Sequence, residues 1–224
     1  MKVSVIIPAY NEAPRIGAVL DAVWPCEWVD EILVVNDGSE DETSAVAAQY
    51  PKVQVIDLAI NVGKGGAIAT GLDVARHPIL LLLDADLVGL ETRHVNALLE
   101  PMTRGADMTL GLFKKGKLWS DAAQAITPSI SGQRALKREI LEAVPNLIAC
   151  RMGVEVAIHQ TAKQRGAKIV RVDLDGVTHT PKEAKFGLVK GATARARMYA
   201  EIGKTIVRSK MRNGNDGETN EKEL

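Results

Sequence analysis

Short apolar runs alternate with helically spaced stretches through the first half of the chain. Val3–Ile7, the run Ile32-Leu33-Val34-Val35 inside Glu31–Asn36, Val53–Asp57 and Ile79–Leu83 are compact, apolar and bounded by polar residues. Such runs predict strands buried on both faces of a sheet. Between them, Ala13–Val23 sets Ile16, Val19, Leu20 and Val23 at helical spacing, and Lys64–Ala75 reads as a helix of small residues. Ser39 and Glu42 have the spacing of a capping box and predict a helix running toward Gln49. Repeated βα units of this kind imply an α/β fold: a central, mostly parallel sheet with right-handed crossovers, flanked by helices.

The second half is less regular. Glu91–Thr103 predicts a helix, Asp107–Leu112 a strand, and Phe113–Thr127, with Lys114, Lys115, Lys117 and Trp119, a loop without period. Helices are expected at Arg134–Val144 and Gly153–Gln164, and strands near Lys168–Leu174 and Gly176–Thr180. A last helix, from about Ala184 to Arg212, carries Leu188, Ala192, Ala196, Tyr199, Ile202 and Ile206 as an apolar stripe. Lys190, Arg195, Arg197, Lys204, Arg208, Lys210 and Arg212 stand beside or opposite it. A basic amphipathic helix can lie on anionic lipid, but it more often docks on a core with a solvated basic face. The polar tail Asn213–Leu224 is expected to be disordered. The expected organisation is one domain over residues 1–212, in two halves (1–112 and 113–182) followed by the basic helix (183–212).

Composition narrows the classes. A chain of 224 residues, 46% hydrophobic and 25% charged, can bury a proper core. Its formal net charge of zero gives no sign of a nucleic-acid partner. Cys26 and Cys150 lack metal-ligand spacing and are expected as free thiols in a reducing cytosol. The amino terminus starts directly as a strand, and no apolar run approaches the ~20 residues that span a bilayer. A soluble, cytoplasmic protein is expected, one able to rest on a membrane surface.

The candidate chemistry sits where strands end. Asp84 and Asp86 close the run Pro78–Leu83, at the carboxyl edge where open α/β sheets bind ligands. An Asp-x-Asp there suits Mg²⁺ or Mn²⁺, which take oxygen ligands and keep positions open for phosphates. Two solvated loop aspartates are the plainer alternative, at about even odds for the pair alone. Pro8-Ala9-Tyr10-Asn11-Glu12 ends the first strand, where Glu12 can meet a nucleotide; Asn11 as a simple helix cap is the stronger reading in isolation. Asp37, after the second strand, can accept the imide N–H of uracil, although Asp37-Gly38 is also ordinary turn chemistry. Asn61-Val62-Gly63-Lys64-Gly65-Gly66 opens a helix whose N–H groups can approach phosphate, without the spacing of a P-loop.

These four segments, in this order, resemble glycosyltransferase family 2, whose fold is the GT-A nucleotide-diphospho-sugar type. The resemblance covers roughly the first half of the chain. It implies that Pro8, Ala9, Tyr10, Glu12, Asp37, Gly63, Lys64, Asp84, Ala85 and Asp86 contact a UDP-sugar, with Asp86 on the metal. Ser131-Gly132-Gln133-Arg134 resembles the acceptor segment of polyprenyl-phosphate sugar transferases and glucosyl-3-phosphoglycerate synthases. Gly153–Val156, Arg165–Ile169 and Gly176–His179 resemble the latter; there, a histidine at the place of His179 completes the metal site and a glutamate at that of Glu155 faces the acceptor. Arg134 is suited to grip an acceptor phosphate, and Glu155 and Asp84 are the candidate catalytic carboxylates.

The implied activity is transfer of a sugar, glucose by preference, to a small phosphorylated acceptor such as 3-phosphoglycerate. A polyprenyl phosphate at the membrane surface is the alternative, and an inactive nucleotide-sugar-binding module a remote one. A sugar-1-phosphate nucleotidyltransferase would carry its Gly-rich loop after the first strand, where Pro8-Ala9-Tyr10-Asn11 stands. A homodimer through the last helix is also expected.

Overall fold

The structure is a computed structural model, and it describes residues 1–113 and 131–179. The predicted loop beyond Phe113, the terminal basic helix with its seven named cations, and the tail lie outside these residues. Its central sheet has seven strands: β1 (Val3–Ala9), β2 (Val29–Asn36), β3 (Val53–Asp57), β4 (Ile79–Leu82), β6 (Met108–Phe113), β7 (Arg134–Lys137) and β8 (Ile169–Leu174), ordered β3-β2-β1-β4-β7-β6-β8. A separate two-stranded ribbon joins β5 (Leu87–Val88) to β9 (Thr178–His179). The helices are α1 (Ala13–Val23), α2 (Thr43–Ala47), α3 (Lys64–Val74), α4 (Thr92–Thr103), α5 (Arg138–Glu142) and α6 (Val154–Gln164), with a 3₁₀ turn at Leu147–Gly153 before α6.

The apolar runs behave as two-sided strands. Val5, Ile7, Val34 and Leu81 enter a core beneath α1 and α4, where Ile16, Leu20, Val95 and Leu98 meet them. Ile6, Leu33, Val35, Leu80 and Leu82 point the other way, onto Ile68, Ile140 and Ile158 from α3, α5 and α6. Alternation within a continuous apolar run is what a sheet sandwiched between helix layers requires. The pairings β1–β2, β1–β4, β2–β3 and β6–β8 are parallel, while β7 runs antiparallel to both β4 and β6.

Several boundaries differ from expectation. The Ser39–Glu42 capping box does not form: α2 begins at Thr43, its N-cap Glu42 makes no side-chain capping bond, and the helix ends at Ala47. The Ser39 hydroxyl is occupied instead by the Asn11 N–H at 2.9 Å, and Asp41 accepts the Thr43 N–H at 3.1 Å. The predicted helix Arg134–Val144 opens as the strand β7, because Ala135 and Leu136 face opposite cores with period two; only Arg138–Glu142 is helical. The predicted strand Gly176–Thr180 contracts, among the described residues, to Thr178–His179. No helix among the described residues is long and apolar enough to cross a membrane. Cys26 and Cys150 are free thiols.

Candidate functional site

The carboxyl ends of β1, β2 and β4 and the start of α3 form one rim. Asp37, buried just past β2, accepts the Val62 N–H on one oxygen at 2.7 Å and the Gly63 N–H on the other at 2.9 Å. Its carboxylate thereby holds the α3 entry loop, whose Gly63 turns at φ 86°, a left-handed conformation that favours glycine. The Asn61 side-chain amide adds a bond to the Asp37 carbonyl at 3.1 Å. The β1 loop is tied to the same rim. Asn11 sits at φ 56° and accepts the Glu40 N–H at 2.9 Å, rather than capping α1. Buried Glu12 receives Arg15 at 2.9 Å, while Tyr10 beside it is exposed.

Lys64, the first residue of α3, reaches two carboxylates. Its ammonium lies 2.5 Å from Asp84 Oδ1 and 2.5 Å from Glu155 Oε1. Burial opposes the charge on Lys64, but the two anions outweigh it and raise its pKa. Burial likewise opposes charge on Asp84, yet Lys64 and His179 hold its carboxyl below the usual range. Asp84 Oδ2 in turn accepts the Gln133 amide at 2.8 Å.

His179 closes the site. Its Nδ1 is 3.3 Å from Asp86 Oδ1 and its Nε2 is 3.8 Å from Asp84 Oδ2. The pairing of Leu87 with His179 places the ring there, and Phe113 packs edge-on against it with centroids 4.8 Å apart. One ligand atom from each of Asp84, Asp86 and His179 can be chosen so that all lie within 4.8 Å of one another. Carboxylate oxygens with one imidazole nitrogen fit Mn²⁺ or Mg²⁺, so the donor chemistry suits the expected cation.

The segment Ser131–Arg134 lies behind these carboxylates. Arg134 is fully buried, with Nη1 donating to the Glu155 carbonyl at 3.0 Å and Nη2 to the Ser131 carbonyl. Burial lowers its pKa to about 10, which leaves it charged at neutral pH. A guanidinium enclosed in this way faces backbone carbonyls rather than solvent. Ser131 donates to the Gly111 carbonyl at 2.5 Å. Phe113, Asn61 and the Leu87–Val88 strand were not singled out from sequence. Phe113 carries no local signal for its contact with a residue so distant in the chain, whereas Asn61 lay within a segment already marked.

The family model for glycosyl transferase family 2 matches residues 4–161. The chain belongs to glycosyl transferase family 2. Among family relatives, the dolichyl-phosphate beta-glucosyltransferase of Mus musculus is 39% identical over 100 residues, a match covering 38% of this chain and 31% of the relative. That of Drosophila melanogaster is 40% identical over 101 residues, with the same coverage of 38% and 31%. The chain thus spans about a third of the length of these curated relatives. A solved glucosyl-3-phosphoglycerate synthase from Mycobacterium tuberculosis, in complex with Mn²⁺, UDP and glucosyl-3-phosphoglycerate, superposes with a TM-score of 0.67 at 23% identity, covering 90% of this chain and 80% of that one. At that identity the likeness speaks for the fold, which is of the GT-A type.

Proposed function

We propose that this family 2 chain transfers glucose from UDP-glucose to a small phosphorylated acceptor, with a bound Mg²⁺ or Mn²⁺. The observation that carries the reading is the convergence of Asp84, Asp86 and His179 on one point of the sheet's carboxyl edge, with Lys64 beside them. When bound, the cation supplies positive charge against the departing diphosphate. Asp86 and His179 would hold it, with Asp84 close by and able to offer a further oxygen. The N–H groups at the start of α3, with Lys64, favour the phosphates. Glu12 and Asp37 set the base end, with Pro8, Ala9 and exposed Tyr10 along the same rim. Glu155, oriented by Lys64, receives the acceptor hydroxyl. Ser131, Gly132, Gln133 and Arg134 line the acceptor side, Gly132 and Gln133 against the Asp84 carboxylate and Ser131 and Arg134 through backbone carbonyls rather than an exposed guanidinium.

The phosphoglycerate acceptor draws support from the mycobacterial synthase crystallised with phosphoglyceric acid, a match that covers 90% of this chain at 23% identity. A lipid phosphate is a second reading. It draws support from the dolichyl-phosphate relatives, and it would bring the chain to a membrane surface. Labelled UDP-glucose, Mn²⁺ and each acceptor in turn distinguish them. Label in a water-soluble product supports the first reading, and label in an organic-extractable product the second. Asp86→Ala should abolish either transfer. Full activity in the presence of chelator overturns the metal-assisted mechanism.

A further inference from the structure

The rim contains a buried side-chain amide. Gln133 is fully buried, and its Nε2 donates to Asp84 Oδ2 at 2.8 Å. Lys64 holds the opposite oxygen, Oδ1, at 2.5 Å. An aspartate's terminal torsion is broad and two-fold, so a carboxylate with one donor can still swing, while one gripped on both oxygens cannot. Gly132 reinforces the arrangement. A Cβ there would lie 2.5 Å from Asp84 Oδ2 and 2.8 Å from Oδ1, so the backbone of this segment is pressed directly against the carboxylate. The segment is itself anchored: the Gly111 N–H donates to the Gln133 carbonyl at 2.8 Å, and Ser131 donates to the Gly111 carbonyl.

We infer that Gln133 is a positioning residue: its side-chain amide fixes the plane of the Asp84 carboxylate, and with it the geometry of the Asp84–Asp86–His179 cation site. The inference rests on the metal-dependent donor reading above. It reassigns Gln133 from touching an acceptor to acting through Asp84. Lys64 neutralises Asp84 but leaves the carboxylate free to rotate about the Cβ–Cγ bond. The neutral amide on the other oxygen removes that freedom without competing for charge with a cation. Losing an outer partner of this kind typically costs about 10- to 100-fold in metal affinity or activity.

The test measures UDP binding by calorimetry in the full chain, with and without Mn²⁺, in wild type, Gln133→Met, Gln133→Glu and Asp86→Ala. Melting temperature is recorded for each. Gln133→Met keeps the side chain's length and loses the donor. It should bind UDP without metal within about twofold of wild type, yet lose about 10- to 100-fold of the Mn²⁺-dependent gain. Gln133→Glu keeps the shape, turns an acceptor toward Asp84, and should lose more than Gln133→Met. If Gln133→Met fails to fold, Gln133→Glu alone decides. Asp86→Ala reports on the underlying reading: a wild type with no Mn²⁺-dependent gain, indistinguishable from Asp86→Ala, removes the cation site itself. A full Mn²⁺-dependent gain in the Gln133 variants, with that gain lost in Asp86→Ala, overturns the positioning role alone. So does an equal loss of metal-free and metal-dependent affinity together with a collapsed melting temperature, which marks Gln133 as a core residue only.

Discussion

Replacing Lys64 by methionine is the sharpest electrostatic test of the site. The ammonium is the shared counter-charge of Asp84 and Glu155, at 2.5 Å from each, and the three side chains are only 17%, 16% and 11% exposed. Methionine fills similar space but strands two carboxylates in poorly hydrated surroundings. Removing one partner of a buried pair costs about 3–5 kcal/mol. The residual exposure places this site at the lower end, about 3 kcal/mol. For a domain of this size about 1 kcal/mol moves the melting temperature by roughly 2–4 °C, so Lys64→Met should melt about 6–12 °C below wild type. The cost belongs to stranded charge, so removing one of the stranded anions should return part of it. Lys64→Met with Glu155→Gln should therefore melt higher than Lys64→Met alone, with a coupling of about 0.5–3 kcal/mol in a double-mutant cycle read by thermal and urea unfolding. A Lys64→Met protein melting within about 2 °C of wild type, or two substitutions whose losses simply add, would refute the reasoning.

Asp37→Asn should raise the donor KM, because the carboxylate that receives the Val62 and Gly63 N–H groups is weakened and the α3 entry loses its clamp. Hydrogen bonds to a charged group contribute about 1.5–3 kcal/mol each, so a roughly tenfold or greater rise is expected; an unchanged KM and melting temperature would remove Asp37 from the clamp. His159 on α6 is buried, its Nδ1 has no hydrogen-bond partner among the described residues, and burial, with Lys163, Arg134 and Arg171 nearby, lowers its pKa from 6.5 to about 4. Between those values the unfolded chain binds a proton that the folded chain refuses. This contribution to stability is therefore flat above pH 6.5 and falls toward pH 4, by on the order of 3 kcal/mol in total. His159→Leu should show a shallower acid loss than wild type over that window, and an equal drop in unfolding free energy from pH 6.5 to 4.5 in both proteins, read by urea unfolding, would contradict it.

The donor half was legible because its signals are local. Apolar runs such as Ile79–Leu82 can only be two-sided strands in this pattern, and the charge that ends them marks the sheet's edge. α1 and β3 fall at their expected bounds for the same reason. Legibility failed where a partner distant in sequence decides. Ser39 and Glu42 have the right spacing for a capping box, but the β1 loop takes the Ser39 hydroxyl. Arg134 reads from sequence as a grip for an acceptor phosphate, since an isolated charge predicts exposure. The carbonyls of Ser131 and Glu155 and the nearby carboxylates of Glu155 and Asp84, brought to it by the tertiary fold, make its burial tolerable. Gln133 is marked only as part of the acceptor-like segment, and nothing local signals its bond to Asp84, which joins residues 49 apart in sequence.

The reversed strands explain how the second half reaches the site. In a wholly parallel sheet, only segments that follow strands arrive at the carboxyl edge. Here β7 runs antiparallel to β4, with Arg134 opposite Leu82, so the residues just before β7 lie beside those just after β4. That register sets Gln133 on Asp84; a parallel β7 would carry Ser131–Gln133 to the opposite edge. The β5–β9 ribbon works in the same way. Leu87 pairs antiparallel with His179, which brings the imidazole back alongside Asp86. His94 stabilises this return by meeting the Asp175 carbonyl at 3.1 Å, just before the turn into β9. Each reversed pairing thus delivers one side chain to one carboxylate of the Asp84-Ala85-Asp86 junction. The first half supplies the anions, and the geometry around the candidate cation site is set by the strands that come back to meet them.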